Sequence, residues 1–235
     1  MASVQPAQTE TKADERPVIY VTGFEPFPPH AINASQRAVE RLAETGLGEE
    51  LGVRLVVEVM KVEYDYVSKV VPRRWEELRP KLVVHVGVSS QVCTLTLEQV
   101  AHNCGYNRKD NCNSVPHKEI CVQDMHLYRG PREHTAVGVP HGPGHLRHQQ
   151  GTPNSKLSST KSTDAGRYLC DFIYYTSLKQ DKSRVAFIHV PVLEKSSEED
   201  TAAAIAAAIK CMYRQVTEKD SKVAEGECVV NGAQG

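Results

Sequence analysis

Short apolar runs separated by stretches of helical periodicity are the feature that most constrains the fold of this chain. Leu82–Val88 is almost entirely apolar and rich in β-branched residues, and 18–21 and 185–190 have the same character. Strands with this composition are typical of a sheet whose two faces are both covered by helices. Apolar residues recur at helical intervals in 64–78 and in 196–216. The alternation predicts an α/β fold, a three-layer α/β/α arrangement with a largely parallel central sheet.

Composition narrows the class of protein. The chain has 235 residues, 40% apolar residues and a net charge of −1. One domain is expected at this length. Nucleic acid and anionic membranes are not expected as partners, because there is no basic excess. The first 16 residues are polar, without the apolar core of a secretory signal. The seven cysteines show no short repeating spacing, which favours reduced thiols and a cytoplasmic location.

Domain boundaries follow from where the periodic pattern starts and stops. We expect a disordered tail at 1–16, a single domain at 17–217 and a loose tail at 218–235. Within the domain, 125–163 contains Gly-Pro breakers and a Ser/Thr cluster but no periodicity. A segment this long is unusual as a loop in a compact domain, so it is predicted to be irregular and disordered.

Helix-start signals place two of the helices. Asn33 or Ser35 can cap the first one. Ser196 or Ser197 can cap the last one, with an acidic residue three positions later as in a capping box. His85 lies inside an apolar strand and is interpreted as a hydrogen-bonded core histidine.

Cys170, His189 and Glu98 are the candidate reactive residues. Cys170 lies close to a predicted helix start, where the positive end of the helix dipole favours a thiolate. His189 ends a strand and precedes Pro191, at the sheet edge where sites gather in α/β folds. Glu98 alternates with Leu95 and Leu97 and therefore points away from the local apolar face. Taken singly, a buried thiol and a structural histidine are the commoner interpretations.

Several motifs together resemble one known family. The stretch around Cys170 and the chain order Glu, Cys, His carry the resemblance most specifically. The chain resembles the pyroglutamyl-peptidase I family, cysteine peptidases that remove an N-terminal pyroglutamyl residue. Its departures indicate a divergent paralogue of the pyroglutamyl-peptidase 1-like kind. The matching stretches are Thr22-Gly23-Phe24, Pro26-Phe27, Asn33-Ala34-Ser35, Val84 to Val88, Thr96-Leu97-Glu98, Asp164 to Tyr175 and Phe187 to Pro191.

The resemblance implies roles for five residues. Cys170 would be the nucleophile of an acyl-enzyme mechanism, His189 its base and acid, and Glu98 the group that orients the imidazole. Phe24 and Phe27 would bind the flat, uncharged pyroglutamyl ring, although filling the core is the usual role of phenylalanine. The substrates would be peptides with N-terminal pyroglutamate, and no metal or organic cofactor is implied.

Two departures from the family leave a second function open. Familiar members carry glycine where this chain has Glu25 and Pro28, and a carboxylate could obstruct the ring pocket or face solvent. The family has a helix and a strand leading to the nucleophile, and neither can be recognised within 125–163. A catalytically weak or inactive paralogue that acts as a binding protein is therefore the alternative.

A metal site was also considered. His141, His145 and His148 have a spacing that suits metal binding on a helix. Gly142, Pro143 and Gly144 between them oppose a helix, so a metal site is not favoured.

Overall fold

Helices on both faces of one mixed sheet make up the fold. The computed structural model describes residues 14–121, 133–135 and 159–231. Its elements in chain order are β1 (Val18–Phe24), α1 (Ala34–Ala43), α2 (Leu47–Leu51), β2 (Arg54–Met60), α3 (Tyr64–Leu78), β3 (Leu82–Val88), β4 (Leu95–Glu98), β5 (Val100–His102), β6 (Glu133–Thr135), β7 (Ser159–Ser162), α4 (Leu169–Asp181), β8 (Val185–Val190) and α5 (Glu198–Asn231). A short 3₁₀ turn covers His117–Glu119.

The main sheet has the strand order β2-β1-β3-β8-β4-β7. The pairs β2–β1, β1–β3, β3–β8 and β4–β7 are parallel, and β4–β8 alone is antiparallel. The predicted α/β class with a largely parallel sheet is confirmed. The antiparallel pair was not foreseen, and it brings β4 directly beside the strand that ends at His189.

Strand alternation separates the two helix layers. A Cβ added to Gly23 would lie 2.7 Å from the Ser35 carbonyl oxygen, so this face of β1 meets α1 closely. The preceding residue, Thr22, faces the opposite side and hydrogen-bonds His85 Nδ1 at 2.7 Å. His85 Nε2 lies 2.8 Å from the hydroxyl of Ser177 in α4. Helix α1 therefore covers one face of the sheet and α4 covers the other.

His85 is the core histidine that the sequence predicts. Its side chain is fully buried between Thr22 and Ser177. Burial lowers the pKa of His85 to about 3, so the ring is neutral at physiological pH.

Two strands correct the expectation of an irregular segment at 125–163. β6 pairs with β5, and β7 extends the main sheet beyond β4. The sequence of β7, Ser-Thr-Lys-Ser, has no apolar alternation because it is an edge strand whose side chains are largely exposed or half-buried. Hydropathy therefore could not reveal it. The remainder of the segment, including His141, His145 and His148, lies outside the described residues, as do residues 1–13.

The last helix also corrects the sequence prediction. We expected order to end near Glu218, but α5 continues to Asn231. Asp220 explains part of the difference, because its carboxylate binds the Arg184 guanidinium through two contacts of 3.1 Å and also pairs with Lys81. These partners fix the helix against the start of β8, an arrangement that local periodicity does not encode.

Helix boundaries elsewhere follow the sequence signals closely. Asn33 caps α1, accepting a hydrogen bond of 3.0 Å from the Ser35 N–H. Ser197 caps α5, its hydroxyl accepting from the Asp200 N–H at 3.1 Å. Helix α3 has the predicted bounds and carries Pro72 without ending there. The short helix α2 was not predicted.

Replacement of Asp220 tests whether these ion pairs stabilise the end of α5. Partial burial raises the pKa of Asp220, but the bonds from Lys81 and Arg184 outweigh it and lower that pKa. The stabilisation is therefore present at neutral pH and lost as the carboxylate is protonated in acid. Asp220→Ala is expected to lower the free energy of unfolding by about 1 kcal/mol or less at neutral pH, because the pair is partly exposed. Urea unfolding measures it.

Glu218→Ala is the matched control, because Glu218 is exposed on the same turn of helix. Equal destabilisation by the two substitutions would contradict a specific role for Asp220.

Candidate active site

The carboxyl edge of the central strands brings together Glu98 and His189. Glu98 Oε1 lies 2.7 Å from His189 Nδ1, although the two residues are 91 positions apart in the chain. The antiparallel register places Glu98 opposite Phe187, two residues before His189, so both side chains point to the same face. Only 2% of Glu98 and 6% of His189 is exposed. A carboxylate so placed fixes one orientation of the imidazole and favours its cation.

Cys170 reaches this pair from the first turn of α4, which begins at Leu169. Its thiol lies above the backbone of Gly87 in β3, and Gly87 is the register partner of His189. A Cβ at Gly87 would be 2.7 Å from Cys170 Sγ and 2.8 Å from Phe187 Cζ. Glycine is required here because any side chain would occupy the space of the thiol. The half-buried Cys170 is the most accessible of the three candidates.

His189 is disposed to carry a proton. Burial alone lowers the pKa of His189, but the charge and hydrogen bonding of Cys170, together with the hydrogen bond to Glu98, outweigh it and raise that pKa to about 10. The arrangement places a protonated imidazole between the thiol group of Cys170 and the carboxyl group of Glu98. A thiol beside a histidine that is itself oriented by a third group is the arrangement typical of an activated nucleophile.

Helix α4 links the thiol to the strand that carries Glu98. The Tyr174 hydroxyl donates to the Glu98 carbonyl oxygen at 3.0 Å. Asp171, fully buried, accepts from the His102 N–H at 3.0 Å and from the Tyr106 hydroxyl at 2.8 Å. One helix therefore carries Cys170 and bonds the chain at Glu98 and after it.

The second oxygen of Glu98 behaves differently from the first. Among the described residues, Glu98 Oε2 is buried without a hydrogen-bond partner. The Glu98 carboxylate thus bonds His189 through Oε1, while Oε2 has no partner among the described residues.

Phe24 and Phe27 occupy different environments. Phe24 lies two residues beyond the Thr22–His85 pair of β1 and β3, so it shares the face of Gly87, but it is 2% exposed and belongs to the core. Phe27 is half-buried at the surface. Its ring packs against Tyr168 at a centroid distance of 5.9 Å. Phe27 is therefore the more accessible of the two rings.

Tyr168 and Arg108 are site residues that the sequence interpretation missed. Tyr168 precedes Cys170 by two residues as the N-cap of α4. The Arg108 guanidinium lies 4.1 Å from the centroid of the Tyr168 ring and 5.8 Å from that of Phe27. No periodic pattern marks either residue, because the packing joins loops that are distant in sequence.

Glu25 does not project freely into this aromatic group. Its Oε1 accepts from the Val62 N–H at 3.1 Å and from Asn111 Nδ2 at 3.4 Å. The sequence left open whether the Glu25 carboxylate obstructs the ring pocket. In the structure this carboxylate instead bonds Val62 and Asn111.

Two further observations concern membrane-spanning helices and metal ligands. No helix among the described residues combines the length and apolar character needed to cross a membrane. Over the same part of the chain, no group of His, Cys, Asp and Glu side chains is arranged to hold a metal ion.

Comparison with known proteins identifies the relatives of this chain. Residues 18–219 match the sequence profile of the family described as pyroglutamyl peptidase. Pyroglutamyl-peptidase 1 of Homo sapiens is 41% identical over 209 residues, covering 88% of this chain and 95% of that protein. The Rattus norvegicus protein of that name is 44% identical over 185 residues, covering 79% and 84%. The human pyroglutamyl-peptidase 1-like protein is 30% identical over 186 residues, covering 79% and 88%. Identity is thus higher to pyroglutamyl-peptidase 1.

Solved structures share the fold. The pyrrolidone carboxyl peptidase of Thermococcus litoralis superposes with a TM-score of 0.68 at 20% identity, covering 87% of this chain and 96% of that one. The pyroglutamyl peptidase I of Bacillus amyloliquefaciens gives 0.67 at 21% identity, covering 85% and 98%.

Alkylation should identify Cys170 as the most reactive thiol among the seven cysteines. Burial raises the pKa of the Cys121 thiol to about 12, so that thiol should stay unmodified at neutral pH. Peptide mass spectrometry after brief iodoacetamide treatment measures the order of labelling. His189→Ala should slow labelling of Cys170 about tenfold, because an unassisted cysteine is only a few per cent thiolate at pH 7. Labelling of Cys104 or Cys112 with Cys170 untouched would contradict the assignment.

Gly87→Ala should impair the same thiol without unfolding the chain. The added methyl would meet Cys170 Sγ and the Phe187 ring, so one of them must move. Slower alkylation of Cys170, with folding verified by circular dichroism, is the expected result. Unchanged alkylation would show that the thiol does not depend on the space above Gly87.

Proposed function

This chain belongs to the pyroglutamyl peptidase family of cysteine-type omega peptidases, and we propose that it removes pyroglutamate from the N-terminus of peptides through Cys170, His189 and Glu98. The observation that carries the proposal is the buried Glu98–His189 hydrogen bond of 2.7 Å beside the thiol of Cys170. The family match over residues 18–219 supports the choice of substrate.

The first half of the reaction forms an acyl-enzyme. The Cys170 thiolate attacks the carbonyl carbon that joins the pyroglutamyl ring to the next residue, and the electron pair of the C=O bond moves to oxygen. The His189 imidazolium then donates its Nε2 proton to the leaving amine nitrogen as the C–N bond breaks. Backbone N–H groups of the first turn of α4 are suited to hold the transient oxyanion.

The second half releases pyroglutamate. His189, now neutral, takes a proton from a water molecule as the water oxygen attacks the thioester carbonyl. Collapse of the intermediate breaks the C–S bond and returns the thiolate beside the imidazolium. Glu98 does not transfer a proton, but it fixes the orientation of the imidazole and stabilises its cation in both halves.

The substrate ring is proposed to bind against Phe27 and Tyr168, with Phe24 forming the floor beside Gly87. A pyroglutamyl ring is flat and uncharged, so it can pack against aromatic faces without the desolvation cost that a free N-terminal ammonium would carry. The preference for a blocked N-terminus follows from this apolar surface. Cytoplasmic action is part of the proposal, because the cysteines have no paired spacing.

A purely binding role is less well supported. The sequence shows neither the helix nor the strand that the family has before Cys170; of these two elements, β7 supplies a strand, which pairs with β4 over Leu95 to Glu98, and the place of the helix lies outside the described residues. The strand that carries Glu98 is thus enclosed on both sides by β8 and β7. The relatives named pyroglutamyl-peptidase 1, at 41% identity in Homo sapiens and 44% in Rattus norvegicus, also favour catalysis.

A fluorogenic pyroglutamyl amide tests the proposed activity. Cys170→Ala and His189→Ala are expected to lower kcat by at least about 10⁴-fold, because a nucleophile and its base act as one unit. Glu98→Gln should lose less, since its amide oxygen can still accept from His189 Nδ1–H. Equal residual activity in all three variants would assign the hydrolysis to a contaminant. An inactive wild-type protein would refute the proposal.

A further inference from the structure

Three loops meet beside Phe27, and one carboxylate joins them. The loops are 25–28 after β1, 61–63 after β2, and 107–114. Glu25 Oε1 accepts from the Val62 N–H at 3.1 Å and from Asn111 Nδ2 at 3.4 Å. Val62 is buried and Glu25 is half-buried, so the first of these bonds is shielded from solvent. We call the Glu25 carboxylate, the Val62 N–H and the Asn111 side chain the Glu25 brace.

Asn111 completes the brace from the opposite side. Its backbone N–H donates to the Val62 carbonyl oxygen at 3.0 Å, and its Nδ2 also donates to the Pro26 carbonyl oxygen at 3.2 Å. Each loop is therefore bonded to both of the others. The backbone of Glu25 is held as well, because its N–H donates to Met60 O and its carbonyl accepts from Asn33 Nδ2, both at 3.0 Å.

Asp110 makes the third loop rigid enough to serve as an anchor. Its Oδ1 accepts from the N–H groups of Cys112 and Ser114, and its Oδ2 accepts from the Tyr64 N–H at the start of α3, all at 2.9 Å. Asp110 is 8% exposed. The loop is thus fixed both internally and against α3.

The brace bears directly on the ring pocket. Phe27 lies two residues after Glu25, and Arg108 lies three residues before Asn111. The Arg108 guanidinium covers the rings of Phe27 and Tyr168 and donates to the Pro28 carbonyl oxygen at 3.4 Å. A shift of loop 25–28 relative to loop 107–114 would therefore separate the ring of Phe27 from the ring of Tyr168.

We propose that Glu25 is a positioning residue for substrate binding: it fixes Phe27 against Tyr168 and so sets the affinity for the pyroglutamyl ring. This inference rests on the proposed function. Glu25 takes no part in the bond-forming steps, because its carboxylate is engaged by Val62 and Asn111.

Kinetic constants for the fluorogenic pyroglutamyl amide test the inference. Glu25→Ala should raise KM about fivefold or more and leave kcat within about twofold, as expected when hydrogen bonds to a charged acceptor are lost outside the reacting centre. Glu25→Gln should keep KM close to the wild-type value, because an amide oxygen can accept from the same two donors. Asn111→Ala should also raise KM, and combining it with Glu25→Ala should add little.

Two controls separate positioning from general destabilisation. Glu76→Ala removes an exposed carboxylate on α3 and should change neither constant. The rate at which iodoacetamide alkylates Cys170 should stay the same in Glu25→Ala, because the bonds of the Glu25 brace do not include Cys170.

Several outcomes would overturn the inference. These are an unchanged KM in Glu25→Ala, a fall in kcat together with slower Cys170 alkylation, or a Glu25→Gln variant as impaired as Glu25→Ala. Each of them leaves the proposed function standing as long as the wild-type protein hydrolyses the substrate. An inactive wild-type protein would instead refute the proposed function and, with it, any role of Glu25 in binding the ring.

Discussion

The hydrogen bond between Glu98 and His189 is the interaction on which the candidate site depends. It joins two strands that run in opposite directions, and this antiparallel pairing places Glu98 opposite Phe187 and beside His189. Both groups are buried away from water. An unpaired carboxylate or imidazolium in such a buried position would be costly. The bond therefore has a structural and a chemical consequence: it links β4 to β8 through their side chains, and together with Cys170 it raises the pKa of His189.

Helix α4 is the second element that the site requires. It supplies Cys170, and through Tyr174 and Asp171 it also bonds the chain immediately around Glu98. Cys170 and Glu98 are thereby held by the same helix, and the proposed triad needs such support if its geometry is to be kept within a fraction of an ångström. Gly87 has no side chain, and this leaves space on the sheet for the thiol of Cys170.

Much of this arrangement could be predicted from the sequence, for physical reasons that also explain the exceptions. The sequence predicts the strands β3 and β8 and the helix α3 within a residue of their observed bounds, because burial on both faces of a strand produces a continuous apolar run and burial on one face of a helix produces a helical period. The edge strand β7 could not be recognised, because its polar side chains carry no such period. Asp220 extends α5 through long-range ion pairs that no local window contains.

The same distinction applies to the site. Cys170, His189 and Glu98 were selected from motifs, and the structure brings them together on one face. Gly87, Tyr168 and Arg108 were not selected, since their roles arise from contacts between distant loops. Glu25 shows the limit most directly: a residue that could have blocked the pocket instead bonds Val62 and Asn111, which only the three-dimensional arrangement reveals.

Trapping of the acyl-enzyme tests the central claim most directly. An activated pyroglutamyl ester makes the leaving group easy to expel, so that hydrolysis of the thioester becomes the slow step and the intermediate accumulates. After rapid acid quench, peptide mass spectrometry should locate one pyroglutamyl group on the peptide that contains Cys170, and the adduct should be absent in Cys170→Ala. Turnover of the ester by the wild-type protein with no adduct on Cys170, and with activity retained in Cys170→Ala, would contradict the account.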